Sequence, residues 1–442
     1  MSTVVILGAG VDATLGIPTS NALIPKINEF LATEEGKAID EALRSTIKGV
    51  RFHFDKFVSD AIERLAKGLD RQIDDICVNV SDELAHNQQL DVPQRKMGEL
   101  IVKLFRKIQQ IKQGATIDDE IENLIQEVFG TQINDDSIID FSKLNYTETF
   151  KSVIICILNR SINDSENPVL RHVYKNILDI EQLLVQYFYG FYTGQSGYIK
   201  NYMYIAWIMW AFLVNEEKRI TQHYQEEEQY LSLPVYSQLG DKNWDVVSFN
   251  YTSFAQQFVP NSFYFHGSVS HYVDVKNNND IKLASIYDID IIDFIRNNLE
   301  NQISFDSEHL CYLIPTFLPP LQLKPVLSRK YIEVWYKTWE VISAADKIIV
   351  LGYSCSLHDE HFNSIVKENR LAEIIVVDKN IDVVATNLCS ILGLDIRRFT
   401  TLMIQGKNAK NANSTSKCKI TKCFCKSTPL VLRNAISFLV SH

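Results

Sequence analysis

The 442-residue chain lacks a long hydrophobic run, a cysteine framework and an excess of positive charge. Its most apolar stretch, "NYMYIAWIMWAFLV" at 201–214, falls short of the roughly 20 residues a bilayer-spanning helix needs. It is therefore expected to be a buried helix, with no membrane association. The eight cysteines, Cys77, Cys156, Cys311, Cys355, Cys389, Cys418, Cys423 and Cys425, are scattered without regular spacing. No basic leader precedes "VVIL" at 4–7, so reduced thiols and a cytoplasmic location are expected. A formal net charge of −10 argues against a surface built for the nucleic-acid backbone, and direct nucleic-acid binding is not expected. Hydrophobic content of 46% with 22% charged residues still supplies an ordinary soluble core.

Two phosphate-binding signatures are missing as well. The stretch "VVILGAGVDATLGIPTSNAL" at 4–23 runs from a β-branched strand into a glycine turn and then a helix start. Its glycines stand at 8, 10 and 16, which is not G-x-G-x-x-G, and no Walker lysine follows. A dehydrogenase fingerprint and a P-loop both fit poorly. Gly8 and Gly10 still permit a tight turn and close approach to an anion, which a helix N-terminus favours. A helix-packing turn of some α/β fold is the alternative reading of this stretch alone.

Strand signals are almost absent between residues 36 and 232. Segments such as "MGELIVKLFRKIQQIK" and "IDDEIENLIQEVF" carry apolar residues at spacings of three and four instead, which predicts amphipathic helices. Before this region a strand is expected at 3–7 and a helix at 19–33, capped by Thr19 or Ser20. After it come short β-rich runs at 245–249, 262–265, 309–314, 347–351 and 373–377. The last two flank a helical segment, as in a parallel sheet buried on both faces. The expected architecture is thus α/β: a Rossmann-like parallel sheet from 1–33 and 240–442, interrupted by an all-helical insertion over 34–239.

The turn "GAGVDATLGIP" resembles the sirtuin nucleotide-binding signature through Gly8, Ala9, Gly10, Gly16, Ile17 and Pro18. It departs where sirtuins carry serine, here Asp12, and where they continue D-F-R, here Thr19, Ser20 and Asn21. Further stretches follow in the same chain order. "SFNYT" at 248–252 is similar to the sirtuin T-Q-N-I-D, placing Asn250 at the catalytic asparagine with Thr252 in place of aspartate. "FHGS" at 265–268 resembles the L-H-G of the catalytic histidine and gives His266. "LGYS" at 351–354 is similar to the G-T-S loop and gives Gly352 and Ser354. "VVDKN" at 376–380 puts Asp378 where a polar strand-end residue meets the adenosine ribose. The resemblance covers residues 1–25 and about 240–400.

The resemblance implies NAD as substrate. Asn250 and His266 would be catalytic, and Gly8, Ala9, Gly10, Asp12, Gly16, Pro18, Thr19, Ser248, Gly352, Ser354 and Asp378 would bind the dinucleotide. An asparagine amide can orient a ribose or a water without titrating, and a histidine can accept the proton. Residues 267–308 contain no cysteine, so the two C-x-x-C pairs of the sirtuin zinc module are missing and no zinc is expected. Sirtuin-like NAD hydrolases of bacterial antiphage systems share that combination with a large helical region. The layout resembles most the member that works beside a HerA-type hexameric ATPase, which implies NAD depletion controlled by such a partner or by homo-oligomerisation. An NAD-dependent deacylase and a non-catalytic NAD- or ADP-ribose-binding scaffold are the alternatives.

Two clusters remain. Cys418, Cys423 and Cys425 put three thiols in eight residues without a fourth ligand at zinc-finger spacing, and His358 and His361 of "HDEH" stand three apart. Both are expected to be ordinary structural residues, Asp359 and Glu360 complementing a helix dipole. No acidic residue follows Asp395, and the lysine-rich "GKNAKNANSTSKCKITKCFCK" reads as a loop before a final helix from "TPLVLRNAISFLV".

Overall fold

The computed structural model describes residues 2–57, 72–111, 167–177, 196–226, 235–300, 303–305, 311–318, 329–393, 399–403 and 420–424, with a few positions inside these stretches and most of 112–195 excepted. The chain divides into two compact units. One comprises residues 1–19, 30–50 and 184–442, and the other residues 20–29 and 51–183.

The first unit holds a parallel sheet. β1 (Thr3–Leu7) is buried along its whole length and lies between β2 (Asp245–Ser248) and β7 (Lys347–Leu351), parallel to both. β3 (Ser262–Tyr264) extends the sheet beyond β2, and β8 (Glu373–Asp378) beyond β7. Two further strands, β9 (Phe399–Met403) and β10 (Ile420–Phe424), complete the order β3-β2-β1-β7-β8-β10-β9 among the described residues. The sequence reading has no strand at either place. The lysine-rich segment, expected to be a loop, holds the strand β10, parallel to β8 and β9. Residues 425–442, with the expected final helix, lie outside the described residues.

On one face of the sheet Val4, Ile6, Val247, Ile348, Val350, Ile374 and Val376 pack with Ile342, Phe362, Ile365, Val366, Val384 and Leu388. These last belong to the helices α11 (Arg329–Ser343), α12 (Glu360–Glu368) and α13 (Ile381–Leu392). Residues of the opposite parity, Val5, Leu7, Val246, Ile349, Leu351 and Val377, are buried too. Burial on both faces is why these strands read as unbroken apolar runs, not as alternating ones.

A second, antiparallel sheet forms from β4 (His271–Asp274), β5 (Asn279–Lys282) and β6 (Leu313–Pro315). The apolar run expected as a strand at 309–314 therefore contributes to this small sheet and not to the parallel one. The long helix α7 (Ser196–Glu226) contains the stretch 201–214, which is buried throughout apart from half-buried Asn201. Its indoles seek carbonyls in this part of the chain: Trp207 Nε1 donates to Leu313 O at 2.8 Å and Trp210 Nε1 to Val269 O at 2.7 Å. α7 and α3 (Glu34–Thr46) belong to the unit with the sheet, although their sequence places them in the insertion. Among the described residues no helix is long and apolar enough to cross a membrane.

The second unit is helical where described. α4 (Gln72–His86), α5 (Val92–Ile111) and α6 (Pro168–Ile177) pack together. His172 Nε2 meets Glu83 Oε2 at 2.9 Å, and the Arg95 guanidinium donates to the carbonyls of Leu84 and Asn87. The stripe of α5 is the one that the spacing of three and four in "MGELIVKLFRKIQQIK" predicts, while "IDDEIENLIQEVF" lies outside the described residues except at 127 and 128.

Candidate functional site

The strand order reverses at β1: β2 and β3 build outward on one side, and the chain then returns to place β7 and β8 on the other. Open parallel sheets bind ligands outside the carboxyl ends of their strands at such a point. Since all these strands run parallel, the segments following β1, β2, β3, β7 and β8 emerge along one edge. Gly8, Ser248, Asn250, His266, Gly352 and Asp378 are strand-end residues of that edge.

The turn after β1 is shaped first by its neighbour. Gly8 N–H donates to Leu351 O and Gly10 N–H to Gly352 O, both at 2.9 Å. A Cβ on Gly10 would lie 2.9 Å from Gly352 backbone atoms, and one on Gly352, whose φ is +56°, would lie 2.7 Å from Val11 N. These glycines let two backbones touch, and two of the N–H groups that the sequence assigns to an anion are committed to that contact. The one-turn helix α1 (Ala9–Ala13) then buries Asp12, while Ala9 and Gly16 are exposed and Gly10, Pro18 and Thr19 are half-buried. The next helix, α2 (Ser20–Ala32), has Thr19 as its N-cap residue without a side-chain cap bond. Across the edge Gly352 and Asp378 are half-buried, and Ser354 is exposed.

Asp12 organises a buried polar cluster. Its Oδ2 accepts from Thr252 Oγ1 at 2.5 Å, and its Oδ1 accepts from the phenol of Tyr236, which lies on the short helix α8 (Tyr236–Gly240). Asn250 Nδ2 in turn donates to Tyr236 Oη at 3.3 Å. Burial raises the Asp12 carboxyl to about 6, against the lowering effect of its three donors Thr252, Tyr236 and Asn250. A second carboxylate holds the same loop: Glu217 of α7 accepts from Ser253 N and Ser253 Oγ, each at 2.7 Å. Burial pushes Glu217 up to about 8.

His266 stands in its own arrangement. Its Nε2 lies 3.2 Å from Asp359 Oδ1, both side chains being almost fully buried. The other oxygen of Asp359 accepts from Tyr353 Oη at 2.8 Å. A carboxylate facing Nε2 makes that nitrogen the donor and puts the basic lone pair of a neutral ring on Nδ1. Phe249 stacks on Tyr353 with centroids 4.1 Å apart and meets the His266 ring edge-on at 4.9 Å, so aromatic packing sets the imidazole plane. Gly267 is required by its φ of +88°, and a Cβ there would sit 1.2 Å from Thr316 O. That explains the glycine after His266 without any ligand.

Asp359 corrects the sequence reading. It is the N-cap residue of α12, but its side chain makes no cap bond and turns to His266 instead of complementing the dipole. Tyr236, Tyr353 and Glu217 are likewise outside the sequence-derived set. Nothing at sequence level marks Tyr236 as the partner of Asp12, 224 positions away, or Glu217 as the partner of Ser253, 36 positions away. His358 lies outside the described residues, and His361 packs edge-on against Trp335 at 4.9 Å. Cys423 lies on β10, while Cys418 and Cys425 are outside the described residues. Among the described residues no cluster of histidine, cysteine and carboxylate side chains could hold a metal ion.

No family model and no curated protein matches the chain. Among solved structures it is similar to a Sir2 point mutant with a p53 peptide and NAD, at 14% identity and a TM-score of 0.26 over 41% of this chain and 82% of the other. It is also similar to Sir2Tm bound to a propionylated peptide (15%, TM-score 0.25, 42% and 83%). A third is Sir2 in complex with the inhibitor EX-527, 2′-O-acetyl-ADP-ribose and a deacetylated p53 peptide (16%, TM-score 0.24, 42% and 84%). Likeness at this level bears on neither family membership nor activity; what the chain itself presents is an α/β parallel sheet with buried asparagine and histidine side chains at its carboxyl edge.

Proposed function

We propose that the chain hydrolyses NAD+ to nicotinamide and ADP-ribose. The observation that supports this most is the His266–Asp359 pair at the carboxyl edge of the sheet, one strand from Asn250 and beside the strand-order reversal. Cleavage of the nicotinamide–ribose bond develops positive charge on the ribose, and a water must then lose a proton to complete ADP-ribose. Asn250 would orient a ribose hydroxyl or that water, and His266, held by Asp359, would take the proton. The dinucleotide would lie along Gly8, Ala9, Gly10, Gly16, Pro18, Thr19, Gly352, Ser354 and Asp378, with Asp12 and Ser248 beneath them.

By the resemblance in its motifs, the proposal extends to NAD depletion in antiphage defence, held in check by homo-oligomerisation or by a HerA-type hexameric ATPase. Purified protein, alone and with such an ATPase, should release nicotinamide from NAD. Asn250→Ala and His266→Ala should each lower the rate by roughly 10²- to 10⁴-fold. Full activity in both variants refutes the assignment. Turnover that requires an acyl-lysine peptide and yields O-acyl-ADP-ribose would establish a deacylase instead.

A further inference from the structure

Asn250 is an amide, and its usefulness depends on which of its two ends faces the substrate. Nothing in an amide's shape fixes that choice, because the oxygen and nitrogen ends are nearly isosteric. The surrounding hydrogen bonds do. An ionised Asp12 can only accept, so it takes the hydroxyl protons of both Thr252 and Tyr236. The phenol has one proton, and once that is given to Asp12 its oxygen can only accept. Asn250 must therefore present Nδ2 to Tyr236, as it does at 3.3 Å. Oδ1 is then the end of the amide left to accept from another donor.

From this chain of obligatory donors and acceptors we infer that Asp12 and Tyr236 are positioning residues that fix the Asn250 amide with its oxygen end toward the reacting ribose or water. The inference rests on the NAD reading for what Asn250 meets, but not for how the amide is held. The polarity is set by one proton. If Asp12 binds a proton it gains a donor, Tyr236 is released to donate to Asn250 Oδ1, and the amide can turn over. Burial raises the Asp12 carboxyl to about 6, so the turn-over is expected in mildly acidic solution. The titratable groups facing Asp12 are Glu217 of α7, Tyr236 of α8 and Tyr264 of β3. Glu217 is pushed to about 8 and the two tyrosines well above their ordinary range, which leaves Asp12 as the group that changes charge near pH 6.

Selective ¹⁵N-asparagine labelling of the full chain, with the Asn250 side-chain signal identified by its loss in Asn250→Ala, reads the amide directly. In the unaltered protein the signal should move with a midpoint near pH 6. In Asp12→Asn, which can donate at any pH, it should be displaced and no longer move. Tyr236→Phe removes the relay and should also abolish the movement. In parallel, both variants should lower kcat for NAD by roughly 10- to 100-fold with KM changed less than about 3-fold. A merely structural role would instead lower thermal stability with kcat retained. An Asn250 signal that ignores both substitutions overturns the relay, as does unchanged kcat in both variants. A signal that follows Asp12 in a protein that never consumes NAD sustains the relay and removes the NAD reading.

Discussion

Glu217 offers a quantitative test of how the loop after β2 is held. Its carboxylate is fully buried and takes both the backbone and hydroxyl protons of Ser253, with the Tyr287 hydroxyl at 3.4 Å. Desolvation is the largest influence; Ser253 and Tyr287 lower the pKa, Asp12 raises it, and the result is about 8 against an ordinary 4.5. Between those two values the folded chain keeps a proton that the unfolded chain has released. Stability therefore falls as pH rises through this window and levels off above about 8. Each unit is worth about 1.4 kcal/mol. Asp12 contributes in the same sense only up to about 6, so the fall from pH 6 to 8 belongs to Glu217 and amounts to roughly 2–3 kcal/mol. Glu217→Gln mimics the protonated acid: its oxygen can accept from Ser253 N–H and its nitrogen can donate to Ser253 Oγ. All five tryptophans, Trp207, Trp210, Trp244, Trp335 and Trp339, lie in the unit that carries the sheet, so urea unfolding followed by tryptophan fluorescence reports that unit. The stability of the variant relative to the unaltered chain should rise by roughly 2–3 kcal/mol between pH 6 and pH 8. A difference independent of pH would refute the argument, since it would mean that Glu217 is ionised in the fold throughout.

Asp359→Asn keeps the shape of the partner of His266 but removes its charge. It is expected to lower kcat roughly 10- to 100-fold while leaving the KM for NAD nearly unchanged, and steady-state nicotinamide release measures both. Gly267→Ala forces a Cβ into Thr316 O at a positive φ. It should destabilise the sheet unit by at least about 2 kcal/mol, read as an earlier urea midpoint by tryptophan fluorescence; an unchanged midpoint would mean that the backbone at Gly267 relaxes freely.

How much of this was legible beforehand depends on the distance over which each feature is encoded. β1, β2, β7 and β8 are announced by local runs of β-branched residues, β3 by aromatic ones, and the buried helix by the unbroken apolar run at 202–214. β4 and β5, "HYVD" and "NDIK", each carry a single β-branched residue and so little of that signal. The strand ends bearing Asn250, His266 and Gly352 were legible as motifs in order. Their partners were not. Asp359 looked like any acid at a helix start, and only the folded chain brings it to His266, 93 positions earlier by number. The glycine turn was legible as a close approach, but the approaching backbone proved to include Gly352 of the neighbouring loop.

Asp12 and Thr252, two of the positions where the turn and the Asn250 loop leave the sirtuin pattern, are the clearest case of paired information. Asp12 stands where the pattern has serine, and Thr252 where it has aspartate. Taken singly, each looks like the loss of a functional side chain. In the fold they are each other's partners, Thr252 Oγ1 donating to Asp12 Oδ2 at 2.5 Å. The contact joins one carboxylate and one hydroxyl, carried by the loops that follow β1 and β2. The carboxylate in the β1 turn is also within reach of Tyr236, whose phenol oxygen in turn accepts from Asn250. Two departures along the chain thus meet as one contact at the strand ends, next to the bond that Asn250 makes to Tyr236.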